Sequence, residues 1–165
     1  MPRIFCIANQ KGGVGKTTTT VNLAAGLARV GQRVLVVDLD PQGNATMGSG
    51  IDKRKLELSV YDVLLESASL AEARQRSAKG GYDVLGANRE LSGAEVELVA
   101  LERRNERLRE ALAGAADEYD FVLIDCPPSL SMLTLNGLCC AHGVIVPMQC
   151  EYFALEGLSD LVNTI

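Results

Sequence analysis

The sequence predicts an α/β fold: a doubly wound, mainly parallel sheet flanked by helices. Three observations carry it. Short β-branched runs recur along the chain, helix-length amphipathic segments separate them, and the first run leads through a glycine-rich turn into a helix. Ile4–Ala8 is the first expected strand and Thr17–Val30 the first helix, with Gly31 as its C-cap. Arg33–Asp38 reads as a buried strand. Leu39–Gly50 contains Pro41, Gly43, Asn44, Gly48 and Gly50 and is expected to be a loop. Ser59–Glu66 and Ser69–Ser77 are expected short helices, the second opened by a capping-box pattern, Ser69 with Glu72. Tyr82–Gly86 is a short strand. Ser92–Ala116 reads as one long helix, with Leu98, Leu101, Leu108 and Leu112 on one stripe and charged residues on its other faces. Phe121–Asp125 is a buried strand stopped by Pro127-Pro128. Ser129–Ala141 is a helix, Val144–Met148 a strand, and Ala154–Ile165 the start of another helix. In that last segment the apolar stripe Leu158, Leu161, Val162, Ile165 meets no stop signal. Residues 1–165 are therefore expected to form one domain belonging to a longer protein.

Composition sets the outer limits. The 165 residues are 47% hydrophobic and 22% charged, ordinary usage for one domain with a sizeable core. The formal net charge of −5 does not advertise nucleic-acid binding, so a DNA patch would have to be local or lie outside this chain. No apolar run reaches membrane-spanning length, and no basic segment with an apolar core opens the chain. The expected location is cytoplasmic, with no membrane partner. Cys6, Cys126, Cys139, Cys140 and Cys150 show no metal-type spacing and are expected to be small buried apolar residues.

Lys11-Gly12-Gly13-Val14-Gly15-Lys16-Thr17-Thr18 is the stretch richest in chemistry. A glycine-rich turn between a strand and a helix N-terminus points backbone N–H groups inward and adds partial positive charge, so it cradles phosphates. Lys16 is placed for the β- and γ-phosphates, and the Thr17 hydroxyl for Mg²⁺. The loop has Gln10 where the usual pattern has glycine, and it carries one lysine more than a phosphate loop needs. Ligands of open α/β sheets bind beyond the carboxyl ends of the strands, where three acidic residues fall. Asp125 ends Phe-Val-Leu-Ile-Asp, the Walker B pattern, and is expected to hold Mg²⁺. Asp38 and Asp40 end the second strand at period-two spacing, Asp38 tied into the Mg²⁺ shell and Asp40 orienting the attacking water. A plain Asp-Pro turn is the competing reading of Asp40.

The Lys11-Gly12-Gly13 start resembles the deviant Walker A motif of the ParA/MinD group of P-loop ATPases. Lys11–Thr18, Asp38-Leu-Asp-Pro-Gln-Gly-Asn44, Asp125-Cys-Pro-Pro-Ser129 and the segment from Val146 to Gly157 together look like the ParA/Soj partition ATPases. The resemblance touches nearly the whole chain in order; residues 51–80 carry no motif. It implies an ATP- and Mg²⁺-dependent hydrolase that closes a sandwich homodimer on ATP. Lys11 would reach the partner's phosphates, Gly12 would let the two loops approach, and Gly13, Val14, Gly15, Lys16, Thr17 and Thr18 would complete the nucleotide cradle. Asp40 would be the hydrolytic residue and Asp125 the Walker B carboxylate. The resemblance further implies non-specific, nucleoid-associated DNA binding through residues beyond this chain, and stimulation by a ParB-type centromere-binding protein. A MinD-like membrane-cycling ATPase and a nucleotide-gated regulatory dimer are the alternatives.

Overall fold

Residues 1–8, 15–147 and 162–163 are described by the computed structural model. Strand β1 (Arg3–Ile7) leads to helix α1 (Lys16–Arg29), then β2 (Val34–Asp38) and the short helices α2 (Asn44–Gly48), α3 (Val60–Leu64) and α4 (Leu70–Ala73). There follow β3 (Gln75–Ser77), β4 (Tyr82–Leu85), α5 (Ala94–Val99), α6 (Arg107–Ala113), β5 (Phe121–Asp125), α7 (Met132–Cys140) and β6 (Gly143–Ile145). One sheet in the order β3-β4-β2-β5-β1-β6 results. Every pair is parallel except β3 with β4, a hairpin closed by Gly80 and Gly81. Gly81 sits at φ 75°, a conformation that glycine adopts without strain.

Each face of the sheet carries its own core, as double winding requires. Ile7, Val34, Val36, Val84 and Leu123 pack under α1 around Ala24. Cys6, Leu35, Val37, Val122 and Ile124 face the layer of α3, α5, α6 and α7, which contributes Leu64, Leu98, Leu108 and Leu133. All five residues of β2 are buried, which explains its unbroken apolar run before Asp38. Gly137 lets α7 lie close to the sheet: a Cβ there would stand 3.2 Å from both Cys6 Sγ and Cys126 Sγ.

Four expectations change. The segment expected to be a loop at Leu39–Gly50 contains α2, because Gly43 turns the chain at φ 66° and Asp38 receives the helix's first turn. The helix expected over Ser69–Ser77 ends at Ala73, after which Gln75–Ser77 pairs with β4, Arg76 opposite Asp83 and salt-bridged to it at 3.2 Å. The Ser69–Glu72 capping box is present as read. The long helix expected over Ser92–Ala116 is two helices, α5 and α6, with a break at residues 100–106 where Arg103 adopts φ 51°. Asn136 of α7 stabilises that break: its amide donates to the Arg104 carbonyl (2.8 Å) and its oxygen accepts from Leu108 N–H (3.2 Å). The cysteines also divide. Cys6, Cys126 and Cys140 are buried, but Cys139 is exposed. A hydrogen bond to Cys126, then burial, raises the Cys6 thiol far above its usual range, and burial lifts Cys140 to about 12, so both stay protonated. Met148, Cys150 and the helix expected at Ala154–Ile165 lie outside the described residues, apart from 162–163.

Candidate functional site

Helix α1 begins at the carboxyl end of β1, where a parallel sheet presents its ligand side. Gly15 is its N-cap at φ 77°, so any other residue there would be strained. The first turn has neither a side-chain cap nor an acidic residue, which leaves its N–H groups available to an anion.

Asp125 is the hub of the site. It ends β5 between β1 and β2 and is fully buried. Lys16 Nζ stands 2.8 Å from its Oδ1, the Thr17 hydroxyl donates to Oδ2 at 3.2 Å, and the Thr20 hydroxyl donates to Oδ1 at 3.2 Å. Burial raises the Asp125 carboxyl above its usual range, and the Lys16 ammonium opposes that rise.

Asp38 is the register partner of Asp125 on β2. One oxygen accepts from Asp40 N–H (3.0 Å), the other from Thr46 N–H (2.9 Å) and the Thr46 hydroxyl (2.7 Å). Burial first, then repulsion from Asp125, pushes Asp38 up to about 7. Three of its four acceptor sites are engaged with α2 and the Asp40 backbone, which leaves one lone pair on Oδ1 for a water of a magnesium shell. Asp40 lies 4.0 Å from Lys16 Nζ. Its Oδ1 accepts from Gln42 N–H (3.0 Å) and its carbonyl from Gly43 N–H (2.8 Å). The Asp-Pro turn is therefore present, and it holds Asp40 facing the lysine.

The structure thus brings Lys16, Thr17, Asp38, Asp40 and Asp125 together. Thr18 is exposed on α1 and makes no side-chain hydrogen bond to this cluster. Lys11, Gly12, Gly13 and Val14 lie outside the described residues. The residues present fit a magnesium–nucleotide pair: hard hydroxyl and carboxylate oxygens beside one lysine and a free helix N-terminus. Among the described residues no group of three or more His, Cys, Asp or Glu could hold a metal ion without other donors.

Sequence reasoning missed three residues. Thr20 falls one helical turn after Lys16, and that spacing could have found it. Thr46 required knowledge of α2. Glu95 of α5 accepts from Met132 N–H (2.9 Å) and Leu133 N–H (3.3 Å), capping α7 from a distance in sequence that no local pattern reveals.

A family model described as an AAA domain (AAA_31) matches residues 2–165. Among curated relatives, the sporulation initiation inhibitor protein Soj of Bacillus subtilis is 52% identical over 165 residues, covering 100% of this chain and 65% of that protein. This chain spans less than two thirds of the length of the curated relatives it matches first. Among solved structures, cobyrinic acid a,c-diamide synthase of Mycobacterium smegmatis with a bound ATP analogue and magnesium is 48% identical, with a TM-score of 0.96 over 100% of this chain and 67% of that one. A plasmid partition protein of Borrelia burgdorferi is 30% identical, with a TM-score of 0.88 over 99% of this chain and 73% of that one. No described helix is long and apolar enough to cross a membrane.

Proposed function

This chain belongs to the AAA_31 family and resembles its ParA/Soj-type partition proteins, and from that premise we propose that it is the nucleotide-hydrolysing domain of a DNA-partition ATPase. One observation carries the reading: Lys16, Thr17 and Thr20 converge on the buried Asp125, with Asp40 held 4.0 Å from the same lysine.

Each residue has a task that follows from its place. The N–H groups of the first turn of α1 and the Lys16 ammonium bind the phosphates of ATP. Thr17 and Asp125 would hold Mg²⁺, which when bound neutralises charge on the β- and γ-phosphate oxygens. Thr20 fixes the Asp125 carboxylate from behind, and Asp38 fixes the backbone of Asp40. Asp40 orients the attacking water; phosphoryl transfer asks mainly for such positioning. Lys11 closes the site across an ATP-dependent homodimer, with Gly12 at the contact and Gly13 in the nucleotide cradle. Non-specific DNA and a ParB-type partner complete the cycle of the whole protein.

The deciding experiment measures ATP turnover and ATP-dependent dimerisation with and without DNA, on this chain and on its full-length parent. Turnover with dimerisation supports the proposal. Neither in the full-length protein overturns it, and acceleration by cobyrinic acid in place of DNA would move the chain to the other branch.

A further inference from the structure

We propose that a cleft beside the Asp40 turn binds a small polyanion, a ligand bearing two or more phosphate or carboxylate groups, and transmits its occupation to that turn through Lys53. The cleft has a volume of about 640 Å³. That lies within the range of small-molecule sites, roughly 300–1,000 Å³. Its walls come from three separate stretches, residues 41–42, 53–56 and 88–92. The proposal's regulatory half rests on the hydrolytic reading of Asp40; its binding half does not.

The charge of the lining selects the ligand. Lys53, Arg54 and Arg89 face a single carboxylate in the lining, Glu90. Arg89 is exposed and makes no hydrogen bond or ion pair with the described residues. Arg54 spends Nε and Nη2 on Asp52, leaving Nη1. Lys53 spends one of its donors on the neutral Gln42 carbonyl and has no carboxylate partner among the described residues. Asn88 and Ser92 add neutral polar groups. Three cations lining one concave site, in a chain of net charge −5, favour a compact multivalent anion.

The connection to the site runs through one residue and two hydrogen bonds. Lys53 holds the Gln42 carbonyl, and Gln42 N–H donates to Asp40 Oδ1 at 3.0 Å. The stem of Lys53 is packed against the same turn: a Cβ on Gly43 would stand 2.8 Å from Lys53 Cδ and 2.6 Å from the Ala87 carbonyl oxygen. An anion that draws the ammonium toward Arg89 therefore loosens the turn that holds Asp40, and turnover falls.

The test uses citrate and inorganic pyrophosphate as probes, so that carboxylate and phosphate chemistry are compared. Binding is measured calorimetrically on Lys16→Ala, where the phosphate loop is disabled, and on the native chain saturated with ADP. At least one probe should bind one-to-one, and Arg89→Ala should weaken it about tenfold or more, the worth of a charge-assisted contact. No binding of either probe, or an effect of Arg89→Ala under about twofold, overturns the site. At fixed free Mg²⁺, the bound probe should also slow ATP turnover in the native chain. Arg89→Ala should remove that inhibition while leaving basal turnover unchanged. Binding without any effect on a measurable turnover overturns the coupling through Lys53. A chain that binds the probe but never hydrolyses ATP sinks the hydrolytic reading and leaves the anion site standing.

Discussion

Asp38 and Asp125 stand side by side as register partners on β2 and β5, both carboxylates fully buried, yet among the described residues only Asp125 has a cation. Lys16 compensates Asp125 directly at 2.8 Å. Among the described residues Asp38 has only neutral donors, from Thr46 and the Asp40 backbone, and this asymmetry separates the behaviour of the two acids.

The first prediction concerns pH. Asp38 is raised to about 7 by burial and by Asp125, so the folded chain binds this proton more tightly than the unfolded chain does. Between an unfolded value near 3.9 and about 7, the folded state holds more protons, and stability must fall as pH rises. Asp38→Asn removes that slope. In the nucleotide-free chain its melting temperature should gain on the native chain by about 4 °C or more between pH 5 and pH 8. A parallel pair of melting curves at the two pH values would reject the assignment.

Lys16→Ala removes the phosphate contact and leaves Asp125 without its ion pair. Binding of a fluorescent ATP analogue should fall by about 100-fold or more, equivalent to roughly 3 kcal/mol. Tight binding retained by this variant would contradict the phosphate role.

Asp40→Ala should bind ATP normally but turn it over on the order of 10²-fold more slowly, the cost of losing one positioning group. Single-turnover phosphate release checks this, and an unchanged rate returns Asp40 to a turn former.

Lys11→Ala should bind ATP as the native chain does and fail to dimerise. Sedimentation velocity with a non-hydrolysable analogue decides it; a normal ATP-dependent dimer removes the trans role.

Glu95→Ala should destabilise the chain by about 1–2 kcal/mol, because it strips the cap from Met132 and Leu133 N–H at the start of α7. Urea midpoints measure the loss, and Glu95→Gln, which keeps an acceptor, should recover part of it.

Strands were the more legible part of the fold. β2 and β5 announce themselves because burial on both faces permits only apolar residues, and Phe121–Asp125 lies where the sequence reading put it. Lys16, Thr17 and Asp125 were legible because a strand, a glycine turn and a helix constrain them locally. The break between α5 and α6 was not, since the apolar stripe from Leu98 to Leu112 keeps helical spacing straight through it. The residue that stabilises it, Asn136, lies on another helix. α2 was hidden for a similar reason: the residues that support it, Asp38 and Ala87, are brought to Thr46 by the sheet.

Gly137 ties together positions 6, 126 and 137, which the sequence scatters along the chain. Where the helix supplies no atoms, two thiols fill the vacancy, so these sites share a single allotment of volume. Enlarging one obliges another to shrink. A library that randomises all three at once should return folded members whose side chains trade size, and few that grow at two sites together.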